Sequence, residues 1–147
     1  MGISHKAMKP AVRLALPDYV ELRCVSHFTF LRGASSPAEL VERAQKLGYQ
    51  ALALTDECSM AGVVRAHVAA KAVGLPLLLG SQFRIQPHDA TEASCVLVVL
   101  AQNLNGYGNL CAFITKLRRS SEKGRYHLTL DHITGAELTD CLVLLCP

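Results

Sequence analysis

The sequence lacks most of the short devices that announce chemistry. No G-x-x-x-x-G-K-[ST] loop, no G-x-G-x-x-G after a strand and no G-x-S-x-G turn occurs in its 147 residues. Nucleotide binding by those means is therefore unsupported. The six histidines, His5, His27, His67, His88, His127 and His132, form no i, i+2 strand pair and no i, i+4 helix pair. That spacing argues against a metal cluster, and a lone His is a poor metal site. The six cysteines, at 24, 58, 95, 111, 141 and 146, form no C-x-x-C pair. Four of them sit inside apolar runs, so they read as small buried hydrophobes in a reducing compartment. No apolar run approaches the roughly 20 residues that span a bilayer. The N-terminus has lysines without an apolar core segment, and Lys6 breaks the myristoylation pattern that Gly2 would open. These absences predict a cytoplasmic protein with a short flexible leader over residues 1–17, followed by one domain over 18–147.

What is present is apolar. Half the residues are hydrophobic and 18% are charged, which excludes a disordered chain. A mean hydropathy of +0.25 is high for a domain without a membrane segment. It predicts apolar surface meant to be covered. The net charge of +3 says little about partners. The distribution says more, because Lys116, Arg118, Arg119, Lys123 and Arg125 fall within one short stretch. Such a patch suits phosphates. It equally suits a solvated helix end.

Along the chain, strand and helix patterns alternate. Tyr19–Val25 is β-type and enters a turn-rich loop at Arg32-Gly33. A helix follows, with Ser36 as cap, Pro37 in the first turn, Glu39 completing a capping box and Gly48 as stop. Its apolar face is Leu40, Val41, Ala44 and Leu47. Ala51–Thr55 is a short apolar strand. A second helix opens near Ser59, with Val63, Val64, His67, Val68 and Ala72 at helical spacing, and ends at Gly74. Leu75–Ile85 is the next strand, Pro87-His88-Asp89 a turn, and Cys95–Ala101 another strand. Asn103–Gly108 reads as a loop, Tyr107–Arg119 as a helix and Leu142–Cys146 as a last strand. Strands this apolar, alternating with helices, predict a parallel α/β sheet, open or curled into a barrel. About 200 residues are usual for a closed barrel, so the pattern predicts roughly the first half of one, with a raw edge.

In such folds the strand C-termini carry the chemistry. Those ends are Cys24-Val25-Ser26-His27, Thr55-Asp56-Glu57, Gly80-Ser81-Gln82 and Ala101-Gln102-Asn103. Asp56 and Glu57 together could bind a cation or move protons. Adjacent strand residues point to opposite faces, however, and Asp56 equally suits a capping role.

The run A-L-A-L-T-D-E-C-S-M-A-G-V-V-R-A-H-V-A-A-K-A-V-G-L-P-L-L-L-G-S-Q-F-R-I, residues 51–85, resembles the N-terminal PHP (polymerase and histidinol phosphatase) domain of bacterial DNA polymerase III alpha subunits. L-R-G-A-S at 31–35 and Y-G-N-L…I-T…R-R…K-G-R-Y-H-L at 107–128 resemble the error-prone branch. The resemblance covers Tyr19 to Pro147. It implies a (β/α)7-like barrel, here incomplete. In members with an intact site, it implies strand-end His, Asp and Glu residues that bind up to three metal ions and hydrolyse phosphoesters. Matched by motif, the family's first H-x-H falls on Arg23 and Val25. Its T-D-H falls on Thr55-Asp56-Glu57, its Gly-x-Glu ends on Gln82, and a strand-opening His falls on Val96. Only Asp56 keeps the matching ligand type.

Valine cannot ligate, and arginine is a permanent cation that repels a divalent ion. The expected arrangement is an Arg23 ion pair with Asp56 or Glu57 in place of a metal. The resemblance then implies a non-catalytic structural and docking segment of an error-prone DNA polymerase. Such a segment acts in replication and translesion repair synthesis, and its partners are the rest of the alpha subunit and, through it, DNA. The parent's magnesium and its nucleotidyltransferase site lie outside this chain, which is expected to hold no cofactor. The alternative is an active metal-dependent phosphoesterase or 3′–5′ exonuclease. A third possibility is a contact with nucleic acid or another replication protein through Lys116–Arg125.

Overall fold

Helix α1 (Pro37–Leu47) forms where the capping signals place it. The Ser36 side chain accepts from the Glu39 backbone N–H, and the Glu39 carboxylate accepts from the Ser36 N–H. Gly48, at φ 80°, closes the helix in the left-handed region that glycine adopts without strain. The computed structural model describes residues 18–86 and 95–147. The leader over 1–17 and the Pro87-His88-Asp89 turn lie outside the described residues.

The remaining elements are β1 (Val20–Cys24), β2 (Ala51–Leu54), α2 (Val63–Val73), β3 (Leu77–Ile85), β4 (Cys95–Ala101), α3 (Leu104–Arg119) and β5 (Cys141–Cys146). Two 3-10 turns, Leu130–His132 and Ala136–Leu138, precede β5. The strands form one five-stranded sheet in the order β1-β2-β3-β4-β5. This is the incomplete α/β barrel that the alternation predicts, with one correction to the expected parallel pairing. β1, β2 and β3 are parallel, whereas β4 runs antiparallel to β3, and β5 to β4.

The reason is chain length and path. Only residues 86–94, nine in number, join β3 to β4. A parallel crossover needs a dozen or more, so the chain turns back instead. From β4, α3 climbs the sheet, and residues 120–140 bring the chain back to the level of Ala101, which pairs with Cys141. That second return makes β5 antiparallel to β4. Gly106 sits at this crossing, where a Cβ would lie 2.0 Å from the Asp140 carbonyl oxygen. Only glycine lets α3 start that close to the entry of β5.

Strand alternation sorts the side chains. Leu52 and Leu54 face α1 and α2, packing with Val41, Ala44, Ala66 and Ala70. Phe83, Ile85, Leu97 and Val99 face α3, packing with Leu110, Phe113, Leu117 and Leu128. Phe83 and Phe113 meet edge to face at 5.2 Å. The opposite face, built from Ala53, Val98 and Leu100 with Leu78, Val96, Leu144 and Cys146, is lined by strand residues alone.

Three local expectations are corrected. α2 turns Val63, Ala66 and Ala70 inward, so Val64, His67 and Val68 point to solvent. α3 begins at Leu104, because the Asn103 side chain caps Gly106 N–H. The predicted loop is therefore the helix's first turn. All six cysteines are free, yet only Cys58 is fully buried.

Candidate functional site

The rim is built where β1 and β2 end together, level with Leu79, while β3 runs on to Ile85. β1 delivers the 25–35 loop, which folds over the end of β2 and is tied back on itself by the His27 N–H donating to Ser35 O at 2.8 Å. Gly33 is required there, because a Cβ would meet Ser26 O at 1.9 Å. Past β2, the bridge between Glu57 and Gln82 continues the parallel pairing. It sets Asp56, Glu57 and Gln82 side by side with the loop.

Asp56 is 1% exposed and holds the loop. Its Oδ1 accepts from the Ser26 backbone N–H and the Thr29 hydroxyl, and its Oδ2 from the Ser26 hydroxyl, each at 2.7 Å. Ser26 and Thr29 are buried with it. Sequence reasoning placed Ser26 at a strand end without this role and missed Thr29, although a Ser and a Thr in a strand-to-helix loop are the residue types that satisfy a buried carboxylate.

The six positions matched to the family's ligands are brought to one sheet but not to one point. Arg23 does not pair with Asp56 or Glu57 as expected. Its Nε donates to Gln82 Oε1 at 2.8 Å. Alternation explains this: Arg23 and Gln82 share the face away from the helices, while Asp56 turns into the loop. Val25 is half-buried after β1. Val96 packs in the apolar face beside Val98 and Leu144. His27 is a loop residue, stacked on Phe28 at 4.6 Å with Nδ1 3.3 Å from Ser35 O. Ala101-Gln102-Asn103 lies at the opposite end of the sheet, because β4 is reversed.

A metal does not fit this donor set. Both Asp56 oxygens are engaged by short hydrogen bonds, and a guanidinium occupies the neighbouring rim position. Among the described residues, no group of three His, Cys, Asp or Glu side chains is placed to hold an ion.

Glu57 has different partners. It pairs with Arg32, lies 3.5 Å from Arg84 Nε, and accepts from the Tyr126 hydroxyl at 2.8 Å. Tyr126 in turn accepts from the Arg84 backbone N–H at 2.7 Å. Burial pushes the Tyr126 phenol well up, and Glu57 raises it further against the opposing Arg84 N–H, so the hydroxyl stays a donor. Burial likewise pushes the Cys58 thiol up to about 11, although Arg118 opposes it.

The basic stretch is divided. Arg118 Nε and Nη2 donate to the Cys58 carbonyl at 3.3 and 3.2 Å, and its guanidinium lies 5.6 Å from the centre of the Tyr126 ring. Lys116 pairs with Glu137 at 3.4 Å. Arg119, Lys123 and Arg125 are exposed.

Residues 21–142 match the PHP domain model, and the chain belongs to that family. Two relatives sharpen the placement. The chain is 51% identical over 144 residues to an error-prone DNA polymerase of Ralstonia nicotianae, with 91% of this chain and 13% of that protein covered. It is 54% identical over 138 residues to an error-prone DNA polymerase of Dechloromonas aromatica, with 91% and 13% covered. The chain thus spans about an eighth of the length of these relatives. Among solved structures, it resembles a protein described as a candidate metal-dependent phosphoesterase from Bifidobacterium adolescentis. That match has a TM-score of 0.57 and 26% identity, over 69% of this chain and 34% of that one.

Proposed function

We propose that the chain is the N-terminal PHP segment of an error-prone DNA polymerase, a structural and docking element without catalysis of its own. The observation that carries this reading is the Arg23–Gln82 hydrogen bond at 2.8 Å. It links β1 to β3 through a fixed cation at the place where the family's ligand motif predicts metal-binding histidines. The Asp56 network supports it, since three hydrogen bonds turn the one matching ligand type into a loop anchor.

Exposed apolar surface supports docking. Val143 and Leu145 on β5 are 43% and 62% exposed. On the helical face, a groove of about 580 Å³ opens between α2 and the start of α3, over Leu77 and Leu79. Such surface suits packing against the remainder of a polymerase polypeptide. In this reading DNA, magnesium and the nucleotidyl-transfer carboxylates belong to that remainder, and the protein works in the cytoplasm during replication or translesion synthesis. No described helix is long and apolar enough to cross a membrane.

The test is a zinc and manganese titration by calorimetry, paired with hydrolysis of a chromogenic thymidine phosphodiester. We expect no stoichiometric metal uptake and no turnover above the metal-free blank. One equivalent or more of metal accompanied by turnover would overturn the reading in favour of a phosphoesterase.

A further inference from the structure

We propose that the pocket around Glu57 is a phosphate-binding site for single-stranded DNA, with Phe30 as a stacking platform for a base. The pocket has a volume of about 400 Å³, and its walls include Phe30, Arg32, Glu57, Arg84, Arg118 and Gly124. They come from the 25–35 loop, the end of β2, β3, α3 and the segment after α3. No single stretch of sequence shows the site.

Its charge is unbalanced. Three guanidiniums face one carboxylate, a formal excess of two positive charges. A guanidinium carries five N–H donors, and the recorded partners use few of them. Arg118 spends two on the Cys58 carbonyl. Arg32 and Arg84 share Glu57. All three guanidiniums line the same pocket, where an anion with several acceptor oxygens would satisfy further donors and relieve the repulsion among the cations. Phosphate matches the planar donor fork of arginine. Two of the cations are also held in place before any ligand arrives, because Arg118 is fixed by a carbonyl and by the Tyr126 ring, and Arg32 by Glu57.

The second independent observation is Phe30. It is 83% exposed, and its neighbour Leu31 is 88% exposed with φ 62°. A loop held in a conformation that costs energy for leucine presents an aromatic ring to solvent beside the cationic pocket. An exposed ring next to arginines is the arrangement that binds an unpaired base with its backbone phosphates. A duplex keeps its bases stacked and offers no free face to Phe30. Lys123 and Arg125, exposed on either side of Gly124, extend the positive surface along a strand's path. This site needs no metal and does not rest on the docking role, so the calorimetric titration above fails or succeeds independently of it.

The experiment is fluorescence anisotropy of a labelled dT12 oligonucleotide against the whole chain, across a salt series, with the fold of each variant checked by circular dichroism. Saturable binding is expected, with a log–log salt slope near −1.4 to −2, at about −0.7 per phosphate contact for a single strand. Arg84→Ala should weaken binding roughly tenfold and make the slope shallower by about 0.7. Phe30→Ala should weaken binding by about fivefold or more with the slope unchanged. Because Phe30 is so exposed, this variant keeps the fold even where an arginine substitution does not. Lys46→Ala, on α1, should bind as the parent does. Inorganic phosphate in excess should compete. Absence of saturable binding, or binding unchanged in both Arg84→Ala and Phe30→Ala, overturns the proposal. Binding of dTTP as tight as that of dT12 also overturns it, because the ligand would then be a free nucleotide.

Discussion

Asp56 and Glu57 are neighbours in sequence, both carboxylates, and both at the end of β2, yet they live in different surroundings. Asp56 is held by two hydroxyls and one backbone N–H, all neutral and all buried. Glu57 is held by two arginines and a tyrosine at the wall of an open pocket. The first arrangement fixes a loop and leaves nothing for a ligand. The second neutralises part of a cationic surface and leaves the rest exposed. Two adjacent carboxylates at one strand end thus do different work. One side is scaffold and the other is the wall of a basic pocket.

The comparison breaks most decisively at Asp56. Replacing it with alanine strands the Ser26 N–H and two hydroxyls in a buried site, a loss of about 3–5 kcal/mol at typical costs per unsatisfied group. Thermal denaturation followed by circular dichroism should show this, with Thr29→Val costing about 1–2 kcal/mol. A melting point within two degrees of the parent for Asp56→Ala would show that the carboxylate does not anchor the loop.

Glu57→Gln should do the reverse. Its pairs are partly exposed, so stability should change by about 1 kcal/mol or less. Removal of the single negative charge should raise dT12 affinity about two- to fivefold at low salt. Weaker binding in this variant would mean that Glu57 organises the arginines more than it opposes the ligand.

A pH-dependent effect lies at Cys58, the third residue of the same run. Its thiol is pushed up to about 11 in the folded chain, from an ordinary value near 9. The folded state therefore holds its proton more tightly than the unfolded state does. Its contribution to stability is complete below pH 9 and is lost as pH rises toward 11. Denaturant melts at pH 8 and pH 10.5 should show a lower midpoint at the higher pH, and Cys58→Ala should reduce the difference. Identical pH dependence in parent and variant would remove Cys58 as a contributor.

Much of the fold was legible because it rests on local signals. The Ser36-Pro37-Glu39 and Gly48 signals specify α1 without help from distant residues, and the apolar runs mark the strands. Strand direction was not legible. A buried strand such as Cys95–Ala101 reads the same whether it pairs parallel or antiparallel, and the nine-residue connection that decides the matter carries no apolar pattern. The exposure of Val64 and Val68 was hidden for a related reason: helical spacing gives a stripe, but the sheet chooses which stripe is covered. The places of Asp56 and Glu57 just past β2 were legible from the strand pattern, whereas their partners were not. Arg32, Arg84 and Tyr126 lie 25, 27 and 69 residues from Glu57, and nothing local marks them as its neighbours. The one hint was alternation along β3, which places Arg84 on the same face as Gln82.

Strand β3 has a further consequence. Its first residues, Leu77 to Leu79, bond to β2, and its later ones, Gly80 to Ile85, bond to β4. The two halves of the molecule thus share one strand, and they overlap at Gln82, which pairs with Val98 on one side and bridges to Glu57 on the other. At the join sits Gly80, where a Cβ would lie 2.5 Å from the Val99 carbonyl oxygen. A side chain there would loosen both halves at once. Heat or denaturant that frees either half also removes a hydrogen-bonded edge from the other, which couples the stability of the two halves.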